Sequence, residues 1–234
     1  MTARAYPIAL YVGIVGGLEA SLLAARASGL STARVLAALG VLTALALLGA
    51  RLLYVLPRWR VYAADPARIV RFREGGAAMF GGLLLAVPAS LALVPALGLP
   101  LARFWDVATF TMLPALIITR VGCTVAGCCA GRETCGWLGM TLRNARGVRA
   151  RRLPVQLMDA ACGVLLLAVA AGLWRSRAPD GAVVLVVVAG YGAARIGMDG
   201  LREQRDRLGG VVITPVIGMV LSVVSLVLLA RLVH

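Results

Sequence analysis

Seven long apolar stretches dominate the sequence and determine which folds are open to it. Each is close to the ~20 residues with which an α-helix crosses a bilayer. The stretches cover residues 7–27, 33–57, 76–98, 107–129, 154–174, 181–200 and 211–232. Hydrophobic residues make up 61% of the chain, more than a soluble domain of this size carries. The pattern predicts an all-α, polytopic membrane protein of seven transmembrane helices with a small extramembrane head loop.

The sequence shows no soluble domain, linker or internal repeat between these stretches, so we expect one integral membrane domain over residues 1–234. We also expect a monomer. Seven spans would put the termini on opposite sides. Fifteen arginines fall on the side that holds the N-terminus and residues 58–73, 130–152 and 201–209, and six on the other. Taken alone, this imbalance predicts a cytoplasmic N-terminus.

Arginine carries all of the basic charge. The formal net charge is +14, and the chain contains no lysine. A high-GC genome would produce this bias without a functional cause. Arginine also binds phosphate through two parallel hydrogen bonds and keeps its charge. Because the arginines border apolar stretches, the sequence predicts an anionic phospholipid as partner and no nucleic acid.

Charged residues inside the apolar stretches are the first functional candidates, because a charge in hydrocarbon is costly. Arg120 follows the run FTMLPALIIT, and Arg195 lies in YGAARIGMDGLRE. Helical spacing puts Tyr191, Asp199 and Arg202 on or near the face of Arg195, which can pair with Asp199 four residues on. The structural alternative is a helix end with snorkelling arginines.

Glycines accompany the charges at two places. Gly81 and Gly82 lie in the first part of the third stretch, where small residues let a helix or a lipid chain approach the backbone. Others lie where the fourth helix breaks: Gly122, Gly127 and Gly131, followed by Arg132. Broken backbone at membrane depth must be covered by protein or line a cavity. Free backbone N–H groups beside arginine suit a phosphate.

Four of the five cysteines cluster in sequence: Cys123, Cys128, Cys129 and Cys135. Their spacing matches no common zinc template, and the single histidine is His234. We therefore predict no metal and no cofactor. A disulfide from Cys135 would require an oxidising compartment. For most of the cysteines we favour the interpretation that they are small apolar packing residues.

Five segments occur in the order and spacing of the prolipoprotein diacylglyceryl transferases, and the sequence resembles that family over about residues 45–210. The segments are GARLLYVL, GGAAMFGGLLLA, RVGCTVAGCCAGRETCGW, RLPVQLMDA and YGAARIGMDGLRE. The resemblance implies seven transmembrane helices in the bacterial inner membrane. It implies transfer of the diacylglyceryl group of phosphatidylglycerol to the lipobox cysteine of a preprolipoprotein. It also implies that the N-terminus and active-site loops face outward, against the arginine count, with the C-terminus cytoplasmic.

Residue by residue, the resemblance makes Arg120 and Arg195 the catalytic candidates, as cations that stabilise the phosphate leaving group. Asp199 stands where the family usually has glutamate. Motifs and resemblance together give these substrate-binding candidates: Arg51, Tyr54, Gly81, Gly82, Gly122, Gly127, Gly131, Arg132, Gln156, Tyr191, Asp199 and Arg202.

Two further departures from the family pattern concern histidine. Phe80 and Leu153 stand where the family typically has histidine, and a general base is typically worth about 10²–10⁴-fold in rate. The chain therefore resembles a divergent member. Two alternative functions stay open at this point: a non-catalytic phospholipid-binding or lipid-moving protein on the same scaffold, and a membrane thiol redox protein.

Overall fold

The computed structural model describes residues 5–56, 59–63, 65–70, 79–144, 146–203, 207–208 and 211–233. Within them the chain is predominantly α-helical, as the apolar stretches predict. The helices are α1 (Ala5–Ala27), α2 (Thr32–Val55), α3 (Trp59–Ala63), α4 (Met79–Ala96), α5 (Leu101–Ala126), α6 (Val155–Arg175), α7 (Ala182–Asp199) and α8 (Ile213–Val233). A 3-10 helix covers Pro66–Val70.

Two short antiparallel hairpins complete the described secondary structure. Strands β1 (Met140–Arg143) and β2 (Arg149–Arg152) lie between α5 and α6, in the segment predicted as the head loop. Strands β3 (Arg207–Leu208) and β4 (Val211–Val212) lead into α8.

Six helices in the described part of the chain are long and apolar enough to cross a membrane: α1, α2, α5, α6, α7 and residues Thr214–Leu232 of α8. The stretch predicted over 76–98 contributes a shorter apolar helix, Gly81–Ala96, and residues 76–78 lie outside the described residues. In each of these six helices, only 17–44% of an apolar 18-residue segment is buried inside the protein. The remaining side chains form outward apolar faces of the kind that contact lipid.

The contacts divide the chain into two compact units, one of Met1–Ala24 with Trp105–His234 and one of Ala25–Phe104. In the first unit, α6 and α7 pack through the buried side chains of Leu166, Ala170, Val183 and Val187. Helices α7 and α8 approach each other closely at two glycines, since a Cβ on Gly192 would lie 2.6 Å from the carbonyl oxygen of Gly218. Small residues allow this approach, as is common between membrane helices.

Buried polar contacts fix α5 against its neighbours in this unit. Ser21 Oγ of α1 donates to the carbonyl of Val107 over 2.7 Å. Asp106 accepts hydrogen bonds from the backbone N–H groups of Gly181 (2.6 Å) and Val184 (2.8 Å). Asp106 therefore caps the start of α7 from another helix and satisfies N–H groups that the helix leaves unpaired.

In the second unit α2 packs on α4 through Gly49 and Gly81, because a Cβ on either glycine would clash with the carbonyl oxygen of the other. Gly82 approaches the carbonyl of Ala46 in the same way. Gly81 and Gly82, which were predicted to bind substrate, thus have a packing function between helices. Their contact with lipid remains a prediction.

Arg51 of α2 is fully enclosed in this second unit. Its Nε donates to the carbonyl of Ile69 over 2.8 Å and its Nη2 to that of Arg68 over 2.6 Å. The guanidinium also lies 5.9 Å and 5.6 Å from the ring centroids of Tyr54 and Tyr62. Arg51 and Tyr54 therefore belong to a network that holds the 3-10 helix, and Arg51 does not snorkel to a span end.

Candidate active site

Asp159 on α6 is the centre of a buried charge cluster. Its side chain has no exposed surface, and its Oδ2 accepts hydrogen bonds of 3.1 Å from Arg195 Nη1 and Arg202 Nη2. Arg120 Nε lies 3.1 Å from the same oxygen, out of line for a hydrogen bond. We call Arg120, Arg195, Arg202 and Asp159 the arginine cluster. Three separate parts of the chain thus bring a guanidinium to one carboxylate oxygen.

The arginines of the cluster are positioned by different elements. Arg120 lies in the penultimate turn of α5 and Arg195 in the last turns of α7. Arg202 follows the end of α7 in a turn closed by its own backbone N–H, which donates to the carbonyl of Asp199 over 3.2 Å. The sequence prediction that these arginines act together is compatible with this geometry.

The cluster carries more positive than negative charge. Three guanidiniums surround one carboxylate, and their side chains are only 5–12% exposed. The Nε atoms of Arg120, Arg195 and Arg202 are buried without a hydrogen-bond partner within the described residues. Buried charges are costly unless they are paired and hydrogen-bonded. The arrangement therefore complements an anion that accepts several hydrogen bonds.

Asp199 does not pair with Arg195, which corrects the expectation from their four-residue spacing. Arg195 reaches across to α6 and pairs with Asp159 instead. Asp199 is buried, and its Oδ1 has no hydrogen-bond partner in the part of the chain that the structure describes. If the charge of Asp199 is counted with the cluster, one positive charge still remains unbalanced.

Two further predicted residues present unpartnered polar atoms. Tyr191 lies one turn before Arg195, and its buried hydroxyl has no partner among the described residues. Gln156 is 1% exposed and donates from Nε2 to the carbonyl of Cys128 over 2.8 Å, while its Oε1 has no partner there. Gln156 thus ties the start of α6 to the loop after α5.

The chain after α5 forms an extended segment, residues 130–134, which pairs on both sides. On one side Arg132 N donates to Leu201 O over 2.9 Å and Glu203 N to Ala130 O over 3.1 Å. On the other, Leu153 N donates to Arg132 O over 3.1 Å. The 130–134 segment therefore lies between the turn that carries Arg202 and the residues that begin α6, so it sets their separation.

The glycines of the signature stretch have distinct places in this arrangement. Gly131 forms a bridge with Arg202, and a Cβ there would clash with the carbonyl of Leu153. Gly122 lies against Ala9 of α1, where a Cβ would also clash. Gly127 follows the end of α5 with a φ of +76°, a backbone conformation that residues with a side chain rarely adopt. All three are required by the local backbone.

Sequence reasoning missed Arg152, which anchors the β1–β2 hairpin. Its side chain is 2% exposed and pairs with Glu133 Oε1 at 2.7 Å and Glu203 Oε1 at 3.0 Å. Asn144 Nδ2 donates to the same Glu203 oxygen over 3.3 Å. Through these contacts the hairpin is fixed to the 130–134 segment and to the chain after Arg202.

The remaining predicted positions are less informative. Arg132 is exposed and is held through its backbone. Leu153, where the family pattern has histidine, pairs through its backbone with Arg132. The side chain of Phe80 lies outside the described residues. Arg51, Tyr54, Gly81 and Gly82 belong to the unit Ala25–Phe104, described above by itself.

The comparison with protein families establishes which family the chain belongs to. The family described as prolipoprotein diacylglyceryl transferase matches residues 1–233. The chain belongs to this family. The match confirms the resemblance noted in the sequence and extends it to almost the whole chain. With the six long apolar helices, it makes the protein a multi-pass transferase of the bacterial inner membrane.

Curated relatives support the same family. A protein of Wolbachia sp. subsp. Drosophila simulans is 31% identical over 193 residues, which cover 80% of this chain and 73% of the relative. One of Dehalococcoides mccartyi is 26% identical over 179 residues, covering 75% and 68%. One of Bacillus cereus is 36% identical over 78 residues, covering 33% and 29%. Each of the three is named phosphatidylglycerol--prolipoprotein diacylglyceryl transferase.

Proposed function

We propose that this protein transfers the diacylglyceryl group of phosphatidylglycerol to the lipobox cysteine of a preprolipoprotein. The names of the relatives give the reaction class. The observation that carries the proposal is the arginine cluster, with its excess of positive charge and three Nε atoms that donate no hydrogen bond to any described residue. The lipid phosphate is an anion with several acceptor oxygens and complements both features.

The reaction replaces one bond at the glyceryl carbon with another. The acceptor sulfur attacks as a thiolate and forms a thioether, while the bond between that carbon and the phosphate oxygen breaks. The electron pair of the broken bond leaves with glycerol phosphate. Negative charge therefore accumulates on the phosphate as the transition state is approached, and cations held in advance around it lower the barrier.

In this proposal Arg120 and Arg195 are the catalytic residues and contact the phosphate. Arg202 binds the same group from the turn after α7. Asp159 is a positioning residue, because its Oδ2 holds all three guanidiniums within 3.1 Å. Asp159 thereby keeps three like charges together between turnovers, where they would otherwise repel each other.

The other predicted site residues complete the proposal. Tyr191 and Gln156 offer the headgroup polar atoms that have no hydrogen-bond partner among the described residues. Asp199 orients its surroundings, and Arg132 contacts substrate at the edge of the site. Gly122, Gly127 and Gly131 shape the backbone around it. For Arg51, Tyr54, Gly81 and Gly82, in the unit Ala25–Phe104, substrate contact stays a prediction of the family resemblance. The protein acts as a monomer and uses neither metal nor cofactor for binding the lipid phosphate.

We also propose the membrane arrangement that the family resemblance implies. The apolar stretch at 76–98 is the seventh span, and residues 1–234 form one integral domain with the β1–β2 hairpin in its head loop. The N-terminus and the active-site loops face outward, and the C-terminus is cytoplasmic. Labelling of Cys135 in intact cells tests this, since Cys135 is exposed in the loop after α5. Labelling of Cys135 only after cell lysis would show that the protein has the opposite orientation in the membrane.

The direct test is turnover by the purified protein. We would reconstitute it with phosphatidylglycerol, add a synthetic lipobox peptide and detect the lipidated peptide by mass spectrometry. We expect product, and a rate about 10²–10³-fold lower for Arg120→Ala and for Arg195→Ala. Arg175→Ala is the matched control, because Arg175 is exposed in the last turn of α6.

Two results would contradict the proposal. Full activity of both arginine variants would show that the arginine cluster is not the phosphate site. Binding of phosphatidylglycerol without any product would favour the alternative of a phospholipid-binding or lipid-moving protein. A redox function has less support, since the chain contains no C-x-x-C motif.

A further inference from the structure

Three cysteine thiols converge where α5 ends. Gly127 and Cys129 both have positive φ values, +76° and +58°, so the chain turns back on the last turn of the helix. The backbone N–H groups of Gly127 and Cys128 both donate to the carbonyl of Cys123, over 3.0 Å and 3.1 Å. As a result, the sulfur atoms of Cys123, Cys128 and Cys129 all lie within 4.8 Å of one another. We call these three residues the thiol cluster.

The spacing of the sulfurs suits a single soft metal ion. Thiolates bind Zn²⁺ at about 2.3 Å in tetrahedral geometry, which puts neighbouring sulfurs roughly 3.8 Å apart. The three sulfurs, all within 4.8 Å of one another, are therefore close to the separation that a bound ion requires. The sequence alone gave no such indication, because the pattern C-x4-C-C matches no zinc template. The left-handed backbone at Gly127 and Cys129, which accompanies the convergence of the three thiols, is not indicated by that pattern.

The surroundings of the thiol cluster carry positive charge. Arg120 lies one turn before Cys123 on α5, and Gly131, two residues after Cys129, forms a bridge with Arg202. The thiolate is the form that binds metal. Three thiolates around Zn²⁺ would carry a net charge of −1, which the neighbouring guanidiniums compensate.

The thiol cluster is closed on one side and open on the other. Cys123 is buried, Cys128 is half-buried and Cys129 is exposed. Structural zinc sites have four protein ligands, whereas catalytic sites have three and leave the fourth position to water or substrate. Among the described residues only these three side chains converge as a group of potential metal ligands. The arrangement therefore corresponds to the open type.

We propose that Cys123, Cys128 and Cys129 bind Zn²⁺ and that its fourth position takes the thiol of the acceptor. This inference rests on the proposed diacylglyceryl transfer. On binding, the acceptor thiol loses its proton to solvent and becomes a zinc thiolate. The sulfur then attacks the glyceryl carbon, and the electron pair of the broken carbon–oxygen bond leaves with glycerol phosphate. The neutral thioether is a poor zinc ligand and dissociates.

The proposal accounts for a chain that has no histidine at position 80 or 153. A general base is not required to form the nucleophile if a metal ion binds it, since a coordinating thiol is deprotonated at neutral pH. The arginine cluster then acts on the leaving group and the thiol cluster on the nucleophile. The two clusters are adjacent, because Arg120 lies one turn before Cys123 on α5 and the residue that bridges Arg202, Gly131, follows Cys129 by two positions.

The test uses Co²⁺ as a spectroscopic probe of the reduced, chelator-stripped full-length protein in detergent. We expect one Co²⁺ per chain with sulfur-to-cobalt charge-transfer absorption and tetrahedral ligand-field bands, both abolished by one equivalent of Zn²⁺. Cys129→Ser should weaken Co²⁺ binding at least 10-fold. Because Cys129 is exposed, we expect this variant to fold normally. Cys135→Ser and Cys162→Ser are matched controls and should bind as the unsubstituted protein does. Absence of these bands, or bands unchanged in Cys129→Ser, would overturn the metal site.

A second measurement addresses the fourth position and separates the two proposals. A lipobox peptide should shift the Co²⁺ bands, and the same peptide with serine in place of cysteine should not. Such a shift without any lipidated product would leave the zinc site standing and refute the transferase proposal. Undiminished product formation by Cys129→Ser, or after removal of metal, would support the transferase proposal and refute the role of zinc. A shift caused equally by both peptides would overturn thiol binding.

Discussion

Asp159 and Arg195, 36 residues apart in sequence, are joined by a buried hydrogen bond of 3.1 Å between α6 and α7. The same Asp159 oxygen also holds Arg120 and Arg202. One carboxylate oxygen therefore determines the spacing of the three cations that we assign to the lipid phosphate. This relationship leads to the first prediction.

Asp159→Asn should destabilise the protein and slow turnover together. Removing one partner of a buried ion pair typically costs about 3–5 kcal/mol, because it leaves buried charge uncompensated. We expect a lower midpoint of thermal unfolding in detergent and at least a 10-fold lower kcat. Glu19→Gln is the control, since Glu19 is an exposed carboxylate on α1. An unfolding midpoint equal to that of Glu19→Gln would mean that Asp159 does not balance the cluster.

Lysine should substitute poorly for the two catalytic arginines. Arg120→Lys and Arg195→Lys keep the charge but lose the planar fork that binds phosphate through two hydrogen bonds. We expect rates between those of the unsubstituted protein and the alanine variants, measured as kcat/KM for phosphatidylglycerol. Arg175→Lys should have no effect. Lysine variants as slow as the alanine variants would show that geometry, and not charge, supplies the whole contribution.

Gly131→Ala should displace the 130–134 segment. The new Cβ would clash with the carbonyl of Leu153 and approach Cγ2 of Val155 to 2.8 Å. Overpacking of this kind typically costs about 1–3 kcal/mol. Gly172→Ala is the matched control, because no atom lies within 4 Å of a Cβ there and alanine favours a helix. We expect a lower thermal midpoint for the first and an equal or higher one for the second.

Arg152→Ala should loosen the β1–β2 hairpin while leaving the helices folded. Glu133 and Glu203 would lose their shared partner, at a cost of about 1.5–3 kcal/mol for hydrogen bonds to a charged group. The two glutamates reach solvent, which keeps the cost toward the low end. Hydrogen exchange should accelerate at the amides of β1 and β2 and stay slow in α6. Protection unchanged in the hairpin would assign its anchoring to other contacts.

Hydropathy and isolated charges carried most of the prediction from sequence. Apolar length predicts the long helices, and Arg120 and Arg195 stand out because charge is rare inside such stretches. Asp159 escaped notice although it lies in the same motif as Gln156, since only the packing of α6 against α7 reveals what its carboxylate contacts. Arg152 was equally hidden, because the run RARR reads as a basic surface.

Local spacing also misled in one place. Four residues along a helix brought Arg195 and Asp199 to one face, but the guanidinium extends to the neighbouring helix and pairs there. A helical wheel contains no information about the next helix. The convergence of Cys123, Cys128 and Cys129 could not be predicted for a similar reason, since it depends on a left-handed backbone at a residue that is not glycine.

The sharing of one Asp159 oxygen has a consequence for the end of the reaction cycle. Three cations that bind a phosphate strongly also resist letting the product go. Asp159 stays within reach of the same guanidiniums, so it acts as an internal competitor that takes them back when glycerol phosphate leaves. We expect the carboxylate to make product release easier than three free arginines would allow, so that affinity for phosphate is limited to what repeated turnover can tolerate.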